Sequence, residues 1–358
     1  MTHSTVARAL LIRWRWYLLA AVAACTLLWT LYTLSQHRWL KTIPRPHAFS
    51  ADHTPDNPLS GSPTATAGNA TLGFEAILAL SPVPSWRTRG LQAAAHLTGL
   101  QIQIPIQPSI HPDLVDAFAG LGSDNFRHPN HGSSLAWLAH LDLIKYIVQS
   151  DMETALIVED DVDWDLSLRE QMVGIADAVR ELTKTTESDL TPYGHSWDVL
   201  WLGLCAETWD DSFETVFVDD PTVCPSDLYL GLAKGPVERL PTSQRAVFRS
   251  GAPICSFAYG LSREGARKVL QDVGGGKDEA FDIAMMNGCR QRNLTCISVL
   301  PEVFRHYVPS QSFGRTSLVN GQDQGPNNKE FEDEMGSTEN ILESARCHAL
   351  WGKPCLQH

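Results

Sequence analysis

A short apolar run that ends in a cluster of acids is the feature that most constrains the fold of this chain. Residues 154–158 (TALIV) have the length and composition of a buried strand. Five carboxylates follow within seven residues: Glu159, Asp160, Asp161, Asp163 and Asp165. Clustered like charges repel one another unless a cation neutralises them, and carboxylate oxygens suit Mg²⁺, Mn²⁺ or Ca²⁺. The sequence therefore predicts a chemically active edge where this strand ends.

The acidic segment has three other interpretations. A solvated acidic turn is one, and it stays open. An EF-hand loop would place the aspartates of 161, 163 and 165 at its positions 1, 3 and 5, but Leu166 replaces the glycine of position 6 and Met172 the glutamate of position 12. A phosphate-transferring enzyme with an aspartate nucleophile also stays open, although neither the accompanying threonine nor a later lysine in a suitable context is present.

Strand-like and helix-like segments alternate through the central part of the chain. The strand-like runs are 74–80 (FEAILAL), 101–106, 154–158, 197–204 and 254–262, and the helix-like runs are 85–98, 135–148 and 263–273. This order is typical of an α/β domain with a mostly parallel central sheet. Ligands of such domains bind beyond the carboxyl ends of the strands, which is where the acidic segment lies.

The N-terminal part contains 21 residues without a charge, 16–36, which is the length of a membrane-spanning helix. Aromatic residues and arginines flank the run, as at a membrane interface. A cleaved signal peptide is the alternative. Basic residues on both sides leave the orientation open, whereas two Asn-x-Thr sequons, at Asn69 and Asn293, favour a lumenal C-terminal portion. We expect a type II, single-pass protein of the secretory pathway (Golgi or ER).

The expected organisation has five parts: a cytosolic tail (1–15), a signal-anchor (16–36), a spacer rich in Pro, Ser and Thr (37–70), the main folded domain (71–311) and a polar C-terminal extension (312–358) with one helix near 329–346. The net charge of -13, from 41 acidic and 28 basic residues, lacks the basic footprint of a nucleic-acid-binding protein. We therefore expect no nucleic-acid partner.

Seven cysteines follow Cys25, so at least one of them is left without a partner in the same chain. Cys255 lies at the start of a predicted strand, the pair 289 and 296 flanks a short loop, and the pair 347 and 355 would close the C-terminus. Each of these sites is suited to a disulfide in an oxidising compartment, although sequence alone does not determine the pairing.

Several blocks together resemble glycosyltransferase family 25, the group of bacterial lipooligosaccharide and collagen galactosyltransferases. The blocks are LAWLAH (135–140), ALIVEDDVDWD (155–165), WDVLWLG (197–203), CSFAYGLSREGARKVL (255–270), DEAFD (278–282) and VFRH (303–306). They follow in the order of the family over residues 73–310, with a spacing that resembles the fungal members. One departure follows the first strand, where Arg87 and Arg89 stand in place of an Asn-Leu and an arginine-rich turn.

The resemblance implies a GT-A-like nucleotide-sugar-binding domain. It also implies inverting transfer of a sugar, galactose or another hexose, from a UDP-sugar to a glycan, glycoprotein or glycolipid acceptor. The cofactor would be Mn²⁺ or Mg²⁺, with Glu159, Asp161 and His306 as its ligands. Asp160 and Asp163 would contribute to cofactor binding, and Asp163 is an alternative metal ligand.

Two further roles follow from the resemblance. Asp282 matches an acidic residue that would act as the catalytic base, with Glu279 as a close substitute, although a helix N-cap is an equally ordinary role for this aspartate. Arg87 and His140 would contact the donor, but a lone histidine on an apolar helix face is often a core residue. A catalytically silent domain that binds a sugar or a partner is the alternative function.

Overall fold

The computed structural model describes residues 62–121, 128–310, 313 and 332–355, all within the unit Leu59–His358. The strands are β1 (Ala76–Leu80), β2 (Ile102–Gln103), β3 (Thr154–Glu159), β4 (Val162–Trp164), β5 (Val199–Gly203), β6 (Thr215–Asp219), β7 (Gln244–Arg249), β8 (Ala258–Ser262), β9 (Cys296–Leu300), β10 (Phe304–Val308) and β11 (Ser337–Thr338). The α-helices are α1 (Trp86–Thr98), α2 (Pro112–Ala119), α3 (His131–Gln149), α4 (Leu168–Leu182), α5 (Lys234–Val237), α6 (Arg263–Asp272), α7 (Phe281–Arg290) and α8 (Ala345–Trp351).

The large sheet has eight strands in the order β2-β1-β3-β8-β5-β9-β7-β6. Its parallel pairs are β1–β2, β1–β3 and β5–β9. The pairs β3–β8, β5–β8, β7–β9 and β6–β7 are antiparallel. The predicted fold class, a GT-A-like domain built on a mostly parallel sheet, is therefore wrong, and the observed class is an α/β fold with a mixed sheet.

The direction of β8 accounts for much of this difference. It lies between β3 and β5 and runs antiparallel to both. Its pairing with β5 continues beyond the strand ends through a bridge between Ala206 and Ile254 and through the Cys205–Cys255 disulfide. An apolar run in the sequence predicts a buried strand, but it does not show whether that strand is parallel or antiparallel to its neighbours. The alternation of strands and helices therefore could not predict the direction of β8.

Helices cover both faces of the large sheet. Along β1, Ala76 and Leu78 pack into a core with residues of α2, α3, α6 and α7. The intervening Ile77 and Ala79 pack into a second core with residues of α1 and α4. This alternation of side chains is the period of a strand, and the near-absence of polar residues in β1 follows because both of its faces are buried.

A second sheet positions the acidic segment. Its strands are ordered β11-β10-β4, and β4 begins one residue after Asp161. The antiparallel pairing of β4 with β10 sets Phe304 opposite Trp164 and His306 opposite Val162. This register brings a histidine from 147 positions further along the chain to the end of β3.

The described residues contain no helix that is long and apolar enough to span a membrane. The span predicted for residues 16–36 lies outside the described residues. The membrane anchor is not supported by the structure, so the predicted membrane partner and the single-pass secretory-pathway location are not retained.

Element boundaries agree with the sequence where local signals are strong. α1 ends before Gly99, which adopts φ +68°, and begins after a capping box formed by Ser85 and Thr88. Agreement is poorer elsewhere. The run 101–106 forms only the short β2, and the described part of the helix expected near 329–346 is not helical until residue 345, where α8 begins. Residues 62–70 of the predicted spacer belong to the fold, since they include a 3₁₀ helix (Pro63–Gly68) whose last carbonyl accepts from Arg169 Nε.

Three disulfides join cysteines of the described chain: Cys205–Cys255, Cys289–Cys296 and Cys347–Cys355. The last two disulfides join cysteines that are only 7 and 8 positions apart in the sequence. Cys224 is buried and unpaired among the described residues, and burial raises the pKa of its thiol to about 11. The odd cysteine is thus a core residue.

Asp163 holds the C-terminal segment against the acidic segment. Its carboxylate is fully buried and accepts hydrogen bonds from the Thr338 hydroxyl (2.7 Å), the Ser344 hydroxyl and the backbone N–H groups of Trp164 (2.8 Å) and Arg346 (3.0 Å). A buried carboxylate is tolerated when every lone pair has a donor, as here. Residues 337–346 thereby become part of the fold around β4.

We expect Asp163→Ala to lower the free energy of unfolding by roughly 2–4 kcal/mol, because it leaves two buried N–H groups and two hydroxyls without their acceptor. Urea denaturation of the full chain measures this. Asp177→Ala, at an exposed position of α4, is the matched control and should change stability by less than about 0.5 kcal/mol. Equal effects of the two substitutions would contradict the structural role of Asp163.

Candidate metal centre

Three predicted ligands meet at the end of β3. Glu159 is the last residue of the strand, Asp161 lies in the turn that follows, and His306 lies on β10. One ligand atom from each residue lies within 4.8 Å of the other two. The side chains of Glu159, Asp161 and His306 are 25%, 11% and 36% exposed, so the group is open to a ligand from solvent.

Hydrogen bonding and charge couple Glu159 to His306. The imidazole Nε2 of His306 lies 3.0 Å from Glu159 Oε2. Burial opposes ionisation of the carboxylate, but the hydrogen bond and charge of His306, helped by Arg87, lower the pKa of Glu159 to about 2. Burial also opposes protonation of the imidazole, yet the charges of Asp161 and Glu159 raise the pKa of His306 above its usual value. A metal ion bound at Nε2 would have to displace this proton.

Asp161 has one satisfied and one unsatisfied carboxylate oxygen. Its Oδ2 lies 2.8 Å from Arg87 Nη1. Its Oδ1 is buried and has no hydrogen-bond partner, although His306 Nε2 is 3.5 Å away. A buried carboxylate oxygen without a donor is costly unless a cation approaches it. Two carboxylates and an imidazole are ligands that Mn²⁺ accepts, and the residues present therefore fit a divalent ion.

Asp160 lies behind this group. It accepts a hydrogen bond from the Ser81 hydroxyl (2.6 Å) and one from Arg87 Nη1 (2.9 Å), and its side chain is buried. Burial raises the pKa of Asp160, while the Arg87 charge opposes the rise. Burial would lower the pKa of Arg87, but the charges of Asp161 and Asp160 raise it. Arg87, at the start of α1, thus ties two of the carboxylates together.

The other two carboxylates of the acidic segment point elsewhere. Asp163 is in the hydrogen-bond network of the C-terminal segment and is not among the clustered ligand atoms. Asp165 is also buried, and it accepts from the backbone N–H groups of Ser167 (2.9 Å) and Glu343 (3.0 Å). Their negative charge is stabilised by hydrogen bonds rather than by a ligand, which the spacing of the aspartates alone does not reveal.

His140 supports Glu159 from the core. Its ring stacks on Phe281 at 4.5 Å, its Nδ1 lies 2.8 Å from the Tyr259 hydroxyl, and its Nε2 lies 4.0 Å from Glu159 Oε1. Burial lowers the pKa of His140 to about 4, so the ring is neutral at pH 7. His140 therefore lies on the buried face of α3, on the core side of the candidate metal ligand Glu159.

Asp282 lies in the first turn of α7, for which Ala280 is the N-cap residue. Its Oδ2 accepts a hydrogen bond from the Cys255 N–H (2.9 Å). Burial raises the pKa of Asp282, and the nearby Glu159 charge adds to the rise. Glu279 precedes the helix, is half-buried and lies outside the clustered ligand atoms.

Residues 255–257 connect Asp282 to the metal centre. Cys255 donates to Asp282, the Ser256 hydroxyl donates to Glu159 Oε1 (3.3 Å), and the Phe257 ring lies 3.7 Å from that of His306. Cys255 adopts φ +70° and is fixed by its disulfide to Cys205. Sequence reasoning missed Ser256 and Ser81, because single serines in apolar or proline-rich runs carry no spacing signal.

Comparison with known proteins yields no assignment. No protein-family profile matches the chain, and no curated protein matches it. Among solved structures, the crystal structure of A197 from STIV has a TM-score of 0.30 at 8% identity, over 68% of this chain and 90% of that one. The inositol-1-phosphate CTP transferase from T. maritima has a TM-score of 0.26 at 10% identity, over 63% of this chain and 89% of that one.

We expect the full chain to bind Mn²⁺ and Asp161→Asn to weaken that binding by more than about tenfold, because the substitution removes both a ligand oxygen and a negative charge. Isothermal titration calorimetry with MnCl₂ measures the affinity. Asp219→Asn, at an exposed position on β6, is the control and should leave the affinity unchanged. Equal Mn²⁺ affinity of wild type and Asp161→Asn would exclude Asp161 as a ligand.

Two disulfides provide a matched pair for testing residues 255–257. The loop of 50 residues closed by Cys205–Cys255 should contribute about 4 kcal/mol of stability, and the loop of 7 closed by Cys289–Cys296 about 2 kcal/mol. Replacing both cysteines of the first pair by serine should also weaken Mn²⁺ binding several-fold, because the segment contacts Glu159 and His306. Replacing both cysteines of the second pair by serine should leave the Mn²⁺ affinity unchanged. Equal Mn²⁺ affinities would show that the first disulfide does not support the metal centre.

Proposed function

We propose that this protein is a glycosyltransferase that moves a sugar, galactose or another hexose, from a UDP-sugar to a glycan or glycoprotein acceptor with inversion. The reaction would use Mn²⁺ or Mg²⁺ held by Glu159, Asp161 and His306. One observation carries the proposal: ligand atoms of Glu159, Asp161 and the distant His306 lie within 4.8 Å of one another, and one buried Asp161 oxygen has no donor.

The position of the centre suits a nucleotide diphosphate. It lies at the carboxyl end of β3, which is parallel to β1, and Arg87 projects from the start of the helix that follows β1. Ligands of α/β folds bind at such strand ends. A divalent ion there would stabilise the negative charge that develops on the leaving UDP. Arg87 adds a second, permanent positive charge at the same place.

Asp282 is the base in this proposal. As the acceptor hydroxyl oxygen bonds to the anomeric carbon, the bond from that carbon to the β-phosphate oxygen breaks, and Asp282 takes the hydroxyl proton. Its second carboxylate oxygen accepts the Cys255 N–H, which fixes the orientation of the group. Burial raises its pKa, and a carboxylate with a raised pKa is a stronger base.

Membership of glycosyltransferase family 25 is part of the proposal. The support is the order of the sequence blocks over residues 73–310, since several blocks in series are more specific than any one of them. Four of these blocks supply residues that surround the centre: His140, Glu159, Ser256 and His306.

A catalytically silent binding domain is the second candidate, and one observation favours it. Arg87 pairs with Asp160 and Asp161, and His306 Nε2 lies 3.0 Å from Glu159 Oε2, so that protein groups alone contact three carboxylates of the acidic cluster. Such a site would hold a sugar or a partner without needing a metal ion.

UDP release from a panel of UDP-sugars by the full-length chain, with simple glycan acceptors and with or without Mn²⁺, tests the proposal. We expect release from one donor, dependence on Mn²⁺, and loss of at least about 100-fold in kcat for Asp282→Asn, since general-base catalysis contributes on that scale. Asp161→Asn should raise the Mn²⁺ concentration that is required, and Asp219→Asn should behave as wild type.

Two results would change this proposal. Absence of UDP release from every donor by the folded chain, with and without Mn²⁺, would favour the silent binding domain. Release that is equal in wild type and Asp282→Asn would remove Asp282 from the reaction, and Glu279→Gln would then be the next variant to measure.

A further inference from the structure

A buried arginine near the C-terminus contacts all three chain segments that form the metal centre. Arg346, on α8, is 0% exposed. Its guanidinium donates to the carbonyl oxygens of Trp86 (3.1 Å) and Arg87 (3.3 Å). Its own backbone N–H donates to Asp163 in β4, and its guanidinium lies 4.4 Å from the ring of Tyr307 in β10.

These contacts are close to the ligands themselves. Tyr307 follows His306, and its backbone N–H donates to the carbonyl oxygen of Asp161 (2.8 Å). Arg87 is the residue whose side chain pairs with Asp161. Arg346 is therefore one residue, or one hydrogen bond, away from each element of the centre: the start of α1, the acidic turn and β10.

Two aromatic rings, a carboxylate and a glycine surround the Arg346 guanidinium. Its charge lies 5.1 Å from the ring of Trp86, so that two aromatic faces accept it, and Glu332 Oε2 is 3.6 Å away. A Cβ atom at residue 90 would overlap the guanidinium, and this residue is a glycine although it lies within α1. Glycine is unfavourable inside a helix, so its presence is explained by the space that Arg346 occupies.

We propose that Arg346 is a positioning residue for the metal centre, which rests on the proposed metal-dependent function. By holding the carbonyl groups of Trp86 and Arg87, it fixes the first turn of α1 and directs the Arg87 side chain to Asp160 and Asp161. Through Tyr307 and Asp163 it also keeps β10 and β4 in register with that turn. The segment 332–355 is therefore part of the site, not an appendage to it.

Mn²⁺ titration of the folded full-length chain tests this role. We expect Arg346→Met to weaken Mn²⁺ binding by roughly 10- to 100-fold, the range for residues that orient metal ligands, and Arg346→Lys to restore part of the loss. Gly90→Ala should weaken binding in the same direction, because its methyl group displaces the guanidinium without removing it. UDP-sugar turnover should show a raised KM for Mn²⁺ with a smaller change in kcat.

Two controls match these variants. Arg180→Met removes a guanidinium that also donates to backbone carbonyls, those of Thr186, Asp189 and Thr191, in another part of the fold. Gly235→Ala adds a methyl group in a short helix where nothing lies within 4 Å of the new atom. Both should leave Mn²⁺ affinity unchanged. If Arg346→Met does not fold, Gly90→Ala and Arg346→Lys carry the test.

The outcomes separate this inference from the proposed function. Wild-type Mn²⁺ affinity in folded Gly90→Ala and Arg346→Met would overturn the inference and leave the metal centre standing. Absence of Mn²⁺ binding by wild type would overturn the metal centre. The unfolding free energies of Arg346→Met, Asp161→Asn and the double variant would then decide whether Arg346 positions Arg87 against Asp161. Non-additive effects would support positioning through Arg87, and additive effects would overturn it.

Discussion

Five negative charges at the end of a buried strand have to be neutralised or hydrogen-bonded, and the described structure is arranged around that requirement. Asp163 and Asp165 receive donors from the C-terminal segment, and Asp160 receives donors from Arg87 and Ser81. Glu159 and Asp161 alone face the open side with His306. The acidic segment thus divides into a structural part and a part available to a cation, and this division defines the candidate site.

The sequence predicted where these carboxylates lie better than it predicted their hydrogen-bond partners. The end of an apolar run marks a strand end, and carboxylates there indicate a site. The grouping of His306 with Glu159 and Asp161 is implied only by the resemblance to glycosyltransferase family 25, and in the structure the three residues lie together. The role of Asp163 differs from the prediction because its partners lie 175–183 positions later in the chain. Spacing along the chain reveals which acids are neighbours but not which of them meet distant hydroxyl and N–H groups.

The direction of β8 and the burial of Arg346 could not be predicted from the sequence, because both depend on contacts between distant parts of the chain. The apolar run of β8 has the same composition whichever way it enters the sheet. Its antiparallel pairing with β5 is a long-range contact, and the Cys205–Cys255 disulfide joins the end of β5 to the start of β8. Arg346 lies in a polar C-terminal stretch that has no motif and no periodic pattern. Only its burial against Trp86 and Tyr307 distinguishes it from a surface arginine.

The dependence of Asp163 on residues 338–346 has a consequence for how the protein is made. A ribosome releases the acidic segment long before it releases the donors that stabilise Asp163 and Asp165. Until about 180 further residues have emerged, Asp163 lacks the Thr338, Ser344 and Arg346 donors that permit its burial. The emerging chain can form the parallel pairing of β1 and β3 early, but burial of Asp163 and Asp165 has to wait for the last part of the chain.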